Sequence, residues 1–125
     1  MKIVYFDVYG RGEPIRMLLT HAKVAFEDER LTFEEFKTQK EAGKFENGQL
    51  PVVFMDDGTQ LTQSKALLWL FGKKHGYVPD DAMELYHGQA VVDAWQMDFA
   101  DKLQSVIGPT PADKVVDVYG EWCKD

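Results

Sequence analysis

The sequence contains a single cysteine, Cys123, and therefore no C-x-x-C pair. One cysteine cannot form an internal disulfide, and the missing C-x-x-C argues against thiol-disulfide exchange chemistry. The three histidines (His21, His75 and His87) lack ligand spacing and accompanying cysteines, so we expect no metal site. These shortages indicate a protein of a reducing cytoplasm that holds no metal.

Basic residues and long apolar runs are also scarce. Fourteen Lys and Arg face twenty-one Asp and Glu, and the resulting net charge of -7 opposes binding to nucleic acid or to an acidic membrane surface. No run approaches the ~18 apolar residues that a membrane span requires. The opening apolar run is broken at Asp7, too early for a signal peptide. We expect neither a nucleic-acid partner nor a membrane.

The 125 residues are 45% hydrophobic and 13% aromatic, which is typical of one globular domain, or of one domain and part of a second. The apolar run from Ile3 to Phe6 predicts a strand buried on both faces. Pro14 then suits the first turn of a helix. Residues 25–31 predict a charged edge strand, and Thr32 caps a second helix that stops at Gly43.

The next stretch predicts a hairpin and a third helix. Residues 50–62 contain two short apolar runs around an Asp57-Gly58 turn. Residues 63–75 read as a helix with one apolar face made by Ala66, Leu67, Leu70 and Phe71. The predicted order is β-α-β-α-β-β-α.

The pattern changes near Pro79, so we predict a domain at 1–78 and a short all-α extension at 79–125. Apolar residues at helical spacing predict one long helix up to Gly108: Val92, Trp95, Phe99, Leu103 and Val106. A second helix is predicted after Thr110, with Val115, Tyr119 and Trp122 on its apolar face. The first domain, a second subunit or further chain could each cover that face.

Three short stretches carry the candidate chemistry. "VYFDVYGRGEPIR" places Tyr5 at a strand that turns abruptly into a helix. "GQLP" puts a proline just before a strand, where a cis bond and an ordinary trans proline are about equally favoured by the residues alone. "LTQS" puts Ser64 at a helix N-terminus, where it is either a cap or part of a carboxylate site.

Together these stretches, as YF-x-x-x-GR-x-E-x-x-R, GQLP and L-x-QS, resemble the N-terminal domain of cytosolic glutathione transferases. The resemblance is closest to the tyrosine-type sigma class, over residues 1 to about 78, and is weaker to about Ser105. It implies a thioredoxin-like α/β domain with a cis Pro51, followed by the start of a helical domain. It also implies reduced glutathione as co-substrate and a small hydrophobic electrophile as the second substrate.

The resemblance assigns the catalytic role to Tyr5, whose hydroxyl would donate to the glutathione sulfur and favour its thiolate. Free thiols have a pKa of about 8.5, so few are ionised at neutral pH. Arg11 would add a positive charge beside the sulfur. Without the resemblance, Tyr5 would be a strand tyrosine bonded to backbone and Arg11 a solvated loop residue.

The resemblance also assigns the residues that hold the tripeptide. Gln63 and Ser64 would bind the γ-glutamyl carboxylate, and the backbone of Leu50, before Pro51, would pair with the cysteinyl part. Gln49 would add a neighbouring side-chain contact.

At the glycyl end, Lys40 would meet the carboxylate, and Phe36 stands where relatives often have tryptophan. Asp98 is assigned to the glutathione amino group of a neighbouring subunit. Glu13 and Arg16 match as a structural pair that ties the first helix in place.

Other positions depart from the family pattern. Trp69 replaces an arginine at the dimer axis, and the aromatic "key" of some classes falls near Asn47, with Phe45 two residues away. The apolar faces around Trp69, Trp95 and Trp122 favour a homodimer.

We thus expect a glutathione transferase. The alternatives are a GST-like module that binds glutathione or a protein without turnover, and a glutathione-dependent peroxidase or isomerase.

Overall fold

The computed structural model describes residues 1–95, 100–107 and 114. The chain divides into two compact units, Met1–Val78 and Pro79–Asp125. The first unit contains four strands, three α-helices and one 3₁₀ helix at Gly10–Gly12. Its strands and α-helices are β1 (Lys2–Phe6), α1 (Glu13–His21), β2 (Glu27–Leu31), α2 (Phe33–Glu41), β3 (Val52–Phe54), β4 (Gln60–Thr62) and α3 (Ser64–Lys74). In the second unit the described helices are α4 (Ala82–Asp93) and α5 (Asp101–Ile107). The predicted β-α-β-α-β-β-α order is confirmed.

The four strands form one mixed sheet in the order β2-β1-β3-β4. β1 and β2 are parallel, whereas β1 with β3 and β3 with β4 are antiparallel. This is the thioredoxin-like arrangement. The charged strand β2 lies at an edge, as predicted, but it begins at Glu27 rather than at position 25, because Glu27 already pairs with Lys2, the first residue of β1.

Side chains of β1 enter a core on each face of the sheet, because successive residues of a strand point in opposite directions. On one face, Ile3 packs with residues of α1, β3 and α3: Ile15, Leu19, Val53, Leu67 and Phe71. On the other face, Val4 packs with Leu31, Phe45 and Val52. The predicted strand buried on both faces is confirmed.

The helix ends follow the sequence signals. Thr32 and Glu35 form a complete capping box at the start of α2, and Gly43 follows the helix with a positive φ of 75°. α3 runs from Ser64 to Lys74, one residue shorter at each end than predicted. Its buried side chains are Leu67 and Phe71, while the predicted partners Ala66 and Leu70 are exposed.

In the second unit, Asp81 caps α4 by accepting hydrogen bonds from the N–H groups of Met83 and Glu84, both at 3.0 Å. The middle of the predicted long helix, residues 96–99, and the predicted final helix lie outside the described residues. In the described part of the chain, no helix is long and apolar enough to cross a membrane.

Candidate active site

Tyr5 lies near the end of β1 with only 7% of its surface exposed. Its hydroxyl oxygen accepts a hydrogen bond from the backbone N–H of Arg11 at 3.0 Å. A phenol that accepts in this way keeps its own proton for a second partner. The residue therefore bonds to backbone, but as an acceptor, so its ability to donate remains.

Two glycines make room for the Tyr5 ring. A Cβ at Gly12 would overlap the ring, and one at Gly10 would lie 2.6 Å from the hydroxyl oxygen. Gly10 also has a positive φ of 33°. The Gly-Arg-Gly turn is thus the wall against which Tyr5 packs. The sequence predicts the turn but not this contact, which a glycine on each side of Arg11 could have suggested.

The buried side chain of Arg16 makes hydrogen bonds to the backbone that leads into this turn. Its guanidinium donates to the carbonyl oxygens of Phe6 (3.3 Å) and Val8 (3.2 Å) and to the carboxylates of Glu13 (3.3 Å) and Asp28 (2.9 Å). The side chain is 5% exposed. The predicted pair with Glu13 exists, but the shorter contact is to Asp28 on β2, a partner that sequence analysis missed.

An open cleft lies beside this turn. Six of the residues that the sequence assigned to glutathione line it: Arg11, Gln49, Leu50, Pro51, Gln63 and Ser64. Thr62, which sequence analysis did not single out, also lines it. The Leu50–Pro51 peptide bond is cis, the first of the two conformations that the residues allowed. Tyr5 connects to this cleft through its hydrogen bond with Arg11.

Gln63 has an unusual backbone at the entry to α3. Its φ of 69° and ψ of 104° put a non-glycine residue in a sparsely populated region, which costs about 1–3 kcal/mol. The side chain makes no capping bond to the helix. Ser64 is the first residue of α3, so the pair lies at the end of the helix where backbone N–H groups favour an anion.

Phe36 and Lys40 of α2 lie together but are absent from the lining of the cleft. The Lys40 Nζ is 5.8 Å from the Phe36 ring centroid, and Phe36 packs edge-on against Phe6 at 5.3 Å. Lys40 also runs along Gly48, where an added Cβ would come within 3.0 Å of Cε. Asp98 lies outside the described residues.

Phe45 and Trp69, the two aromatic residues considered for subunit association, differ in how exposed they are. Phe45 is 4% exposed and packs in its own core with Val4 and Val52, so it is not available as a key for another subunit. Trp69 on α3 is 37% exposed. The described residues contain no group of three or more potential metal ligands.

Residues 1–68 match the family model for "Glutathione S-transferase, N-terminal domain". The chain is 35% identical over 106 residues to "Glutathione S-transferase 3" of Caenorhabditis elegans, covering 85% of this chain and 49% of that protein. It is 36% identical over 90 residues to "Glutathione S-transferase class-mu 28 kDa isozyme" of Schistosoma japonicum, covering 69% and 43%. The chain spans about half the length of the curated relatives it matches.

Solved structures of glutathione transferases also superpose on this chain. The monomeric Na-GST-3 of Necator americanus superposes with a TM-score of 0.81 at 28% identity, covering 96% of this chain and 58% of that one. A sigma class GST of Fasciola hepatica superposes with a TM-score of 0.84 at 26% identity, covering 99% and 59%.

Proposed function

This chain belongs to the glutathione S-transferase family, and we propose that it binds reduced glutathione in the cleft and activates its thiol for transfer to a small hydrophobic electrophile. The observation that carries the proposal is the Tyr5 hydroxyl, which accepts a hydrogen bond at 3.0 Å from the N–H of Arg11, a residue that lines the cleft, although Tyr5 itself is not among the described lining residues. We propose the two compact units as a thioredoxin-like glutathione-binding domain (1–78) and a partial helical domain (79–125).

In the proposed mechanism, Tyr5 donates its hydroxyl proton in a hydrogen bond to the glutathione sulfur. The N–H of Arg11 polarises the phenol from the other side, which strengthens the donor because hydrogen bonds in series reinforce one another. The thiolate is the nucleophile, and a donor aimed at the sulfur raises the ionised fraction of a thiol whose ordinary pKa is about 8.5. The guanidinium of Arg11 adds positive charge near the same atom.

The remaining residues hold and orient the tripeptide. Gln63 and Ser64, at the N-terminus of α3, bind the γ-glutamyl carboxylate, and the backbone of Leu50 beside Pro51 pairs with the cysteinyl amide. Gln49 adds a side-chain contact. Holding the peptide along this cleft fixes the position of its sulfur relative to Tyr5.

At the far end, Lys40 and Phe36 form the glycyl subsite, and Asp98 acts across a homodimer. Phe36 keeps an apolar wall but has no indole N–H to donate. We place the protein closest to the sigma class, supported by the pairing of Tyr5 with Arg11 and by the likeness to the Fasciola hepatica structure. A cytoplasmic location suits a reaction that needs reduced glutathione.

The test is an ultraviolet difference titration of glutathione onto the protein at near-neutral pH, which follows the thiolate band. We expect the wild type to produce the band and Tyr5→Phe to lose it while still binding glutathione, because the phenyl ring keeps the packing but not the donor. Tyr9→Phe is the matched control, since Tyr9 lies in the same loop but is 80% exposed.

A band that persists in Tyr5→Phe would refute Tyr5 as the activating donor. Glutathione binding without a band in the wild type would instead favour the non-catalytic binding module.

A further inference from the structure

The segment before Gln49 is fastened to β4 by side chains. The Gln60 side-chain amide accepts from the N–H of Glu46 at 3.2 Å and donates to the carbonyl of Lys44 at 3.1 Å. One amide thus makes both bonds that a neighbouring strand would make. Phe45, between the two bonded residues, is buried in the core. These bonds fix the backbone at 44–46 relative to β4, and with it the residue that follows, Asn47.

Asn47 lies within hydrogen-bonding distance of Thr62 at the end of β4. Its Nδ2 donates to the Thr62 Oγ1 at 2.7 Å. A hydroxyl has one proton to donate and two lone pairs that accept. Because Asn47 occupies the accepting side, the hydroxyl proton must point elsewhere, and it forms no hydrogen bond to another residue in the described part of the chain.

Thr62 lines the same cleft as Arg11, Gln63 and Ser64. Each of these side chains can donate a hydrogen bond, one of them is cationic, and no carboxylate is among the described residues that line the cleft. Such a set of donors is suited to an anionic oxygen rather than to an amine.

We infer that the Thr62 hydroxyl, oriented by Asn47, is a further specificity-determining donor that binds a carboxylate oxygen at the γ-glutamyl end of glutathione. The inference rests on the proposed function, because it assumes glutathione as the ligand. Thr62 is the donor, and Asn47 is a positioning residue that acts through it.

The first experiment compares the affinity of the full chain for reduced glutathione by calorimetry in the wild type, Thr62→Val and Thr62→Ser. Valine has the shape of threonine without the hydroxyl. We expect Thr62→Val to weaken binding by roughly tenfold or more, the usual loss when a hydrogen bond to a charged group is removed. Thr62→Ser should recover most of the affinity. Wild-type affinity in Thr62→Val, or no recovery in Thr62→Ser, would overturn the inference.

Asn47→Asp tests the positioning role. An aspartate at this position accepts a hydrogen bond instead of donating one, so it would turn the Thr62 proton away from the cleft. We expect Asn47→Asp to weaken binding in the wild-type background and to have little further effect in the Thr62→Val background. An equal loss in both backgrounds would mean that the new charge simply repels the ligand, which contradicts the inference.

The end of the ligand can be located with γ-glutamylcysteine, which lacks the glycine. We expect Thr62→Val to weaken its binding by the same factor as for glutathione. A loss seen only with glutathione would place the contact at the glycyl end and overturn the assignment.

The two proposals fail differently. If wild-type protein binds no glutathione, or forms no thiolate, the proposed function itself fails. If the wild type binds and activates glutathione but Thr62→Val behaves normally, only the role of Thr62 is refuted.

Discussion

Tyr5 packs against the Gly-Arg-Gly turn at its two glycines, which have no side chains. The ring lies where a Cβ of Gly12 would be, and the hydroxyl lies against Gly10. The glycines serve close approach as well as the turn, and this makes the geometry of the proposed donor sensitive to a single methyl group.

We expect Gly12→Ala to displace the Tyr5 ring. The overlap should cost about 1–3 kcal/mol of unfolding free energy and should reduce the thiolate band, because the ring can make room only by moving. Urea unfolding and the glutathione difference titration measure the two effects. The control is Gly88→Ala in α4, where an added Cβ meets nothing within 4 Å and helix propensity predicts a small gain in stability. An unchanged band in Gly12→Ala would show that the ring tolerates the methyl group.

At the scale of the element, α2 illustrates how a local signal becomes a stable helix end. Thr32 Oγ1 accepts from the N–H of Glu35 at 3.2 Å, and the Glu35 carboxylate accepts from the N–H of Thr32 at 2.7 Å. The second bond, together with the Thr32 hydroxyl, lowers the pKa of Glu35 below its ordinary value. α2 buries no residue fully, so its caps matter more than they would in a buried helix.

Thr32→Ala should therefore destabilise the protein by about 1 kcal/mol, the usual cost of losing an N-cap. Thr38→Ala is the matched control, because the Thr38 hydroxyl bonds only to the carbonyl of Glu34 within the helix and alanine favours helix formation. Thermal unfolding of both variants gives the comparison. Equal stabilities would contradict a role for the capping box.

A second element-scale feature joins β1 to β2. Lys2 Nζ lies 2.7 Å from the Glu29 carboxylate, and Lys44 Nζ lies 3.2 Å from its other oxygen. The hydrogen bond from Lys2 lowers the pKa of Glu29, and the same contact raises the pKa of Lys2. The contribution of Glu29 is thus fully present above its ordinary pKa of about 4.3 and is lost as the pH falls through the lower folded value.

We expect Glu29→Gln to be less stable than the wild type at neutral pH, by a gap that stays constant down to about pH 5 and closes as the pH falls below about 4. Urea unfolding at each pH measures the difference. Glu27→Gln is the control, since Glu27 is 70% exposed and 3.9 Å from Lys2, and it should show little pH-dependent difference. A gap between Glu29→Gln and the wild type that stays constant below about pH 4 as well would rule out the linkage.

At the scale of the whole molecule, we propose that the chain is a homodimer that associates through α3. Trp69 and Leu70 are 37% and 47% exposed on this helix, and stable association requires burying such apolar area. Sedimentation velocity at micromolar concentration should show a dimer, and Trp69→Glu should shift it to monomer because a symmetric contact would bury two like charges. Met17→Glu, at an exposed methionine of α1, should leave the dimer intact. A monomeric wild type would refute the proposal.

Sequence periodicity predicted the elements of the first unit because each depends on neighbours along the chain. The Thr32 cap, the Asp57-Gly58 turn and the two-sided strand from Ile3 all rest on local rules, and all are confirmed. The buried face of α3 was predicted less well. Leu70 fits the helical period but is exposed, because the position of α1 and β3 decides which side of α3 is covered.

The sequence by itself determined six of the seven described residues that line the cleft, since the motifs that resemble glutathione transferases lie at the strand ends and helix starts of the fold. It did not indicate Thr62, and it assigned to the ligand Phe36 and Lys40, which are absent from the lining. Only the tertiary structure decided how those residues meet. No local rule links Arg16 to Asp28 or Asn47 to the Thr62 hydroxyl, and the glycines beside Arg11 alone do not show that Tyr5 packs against them. These contacts join segments that are distant in sequence, and their geometry depends on how the whole sheet and its helices pack.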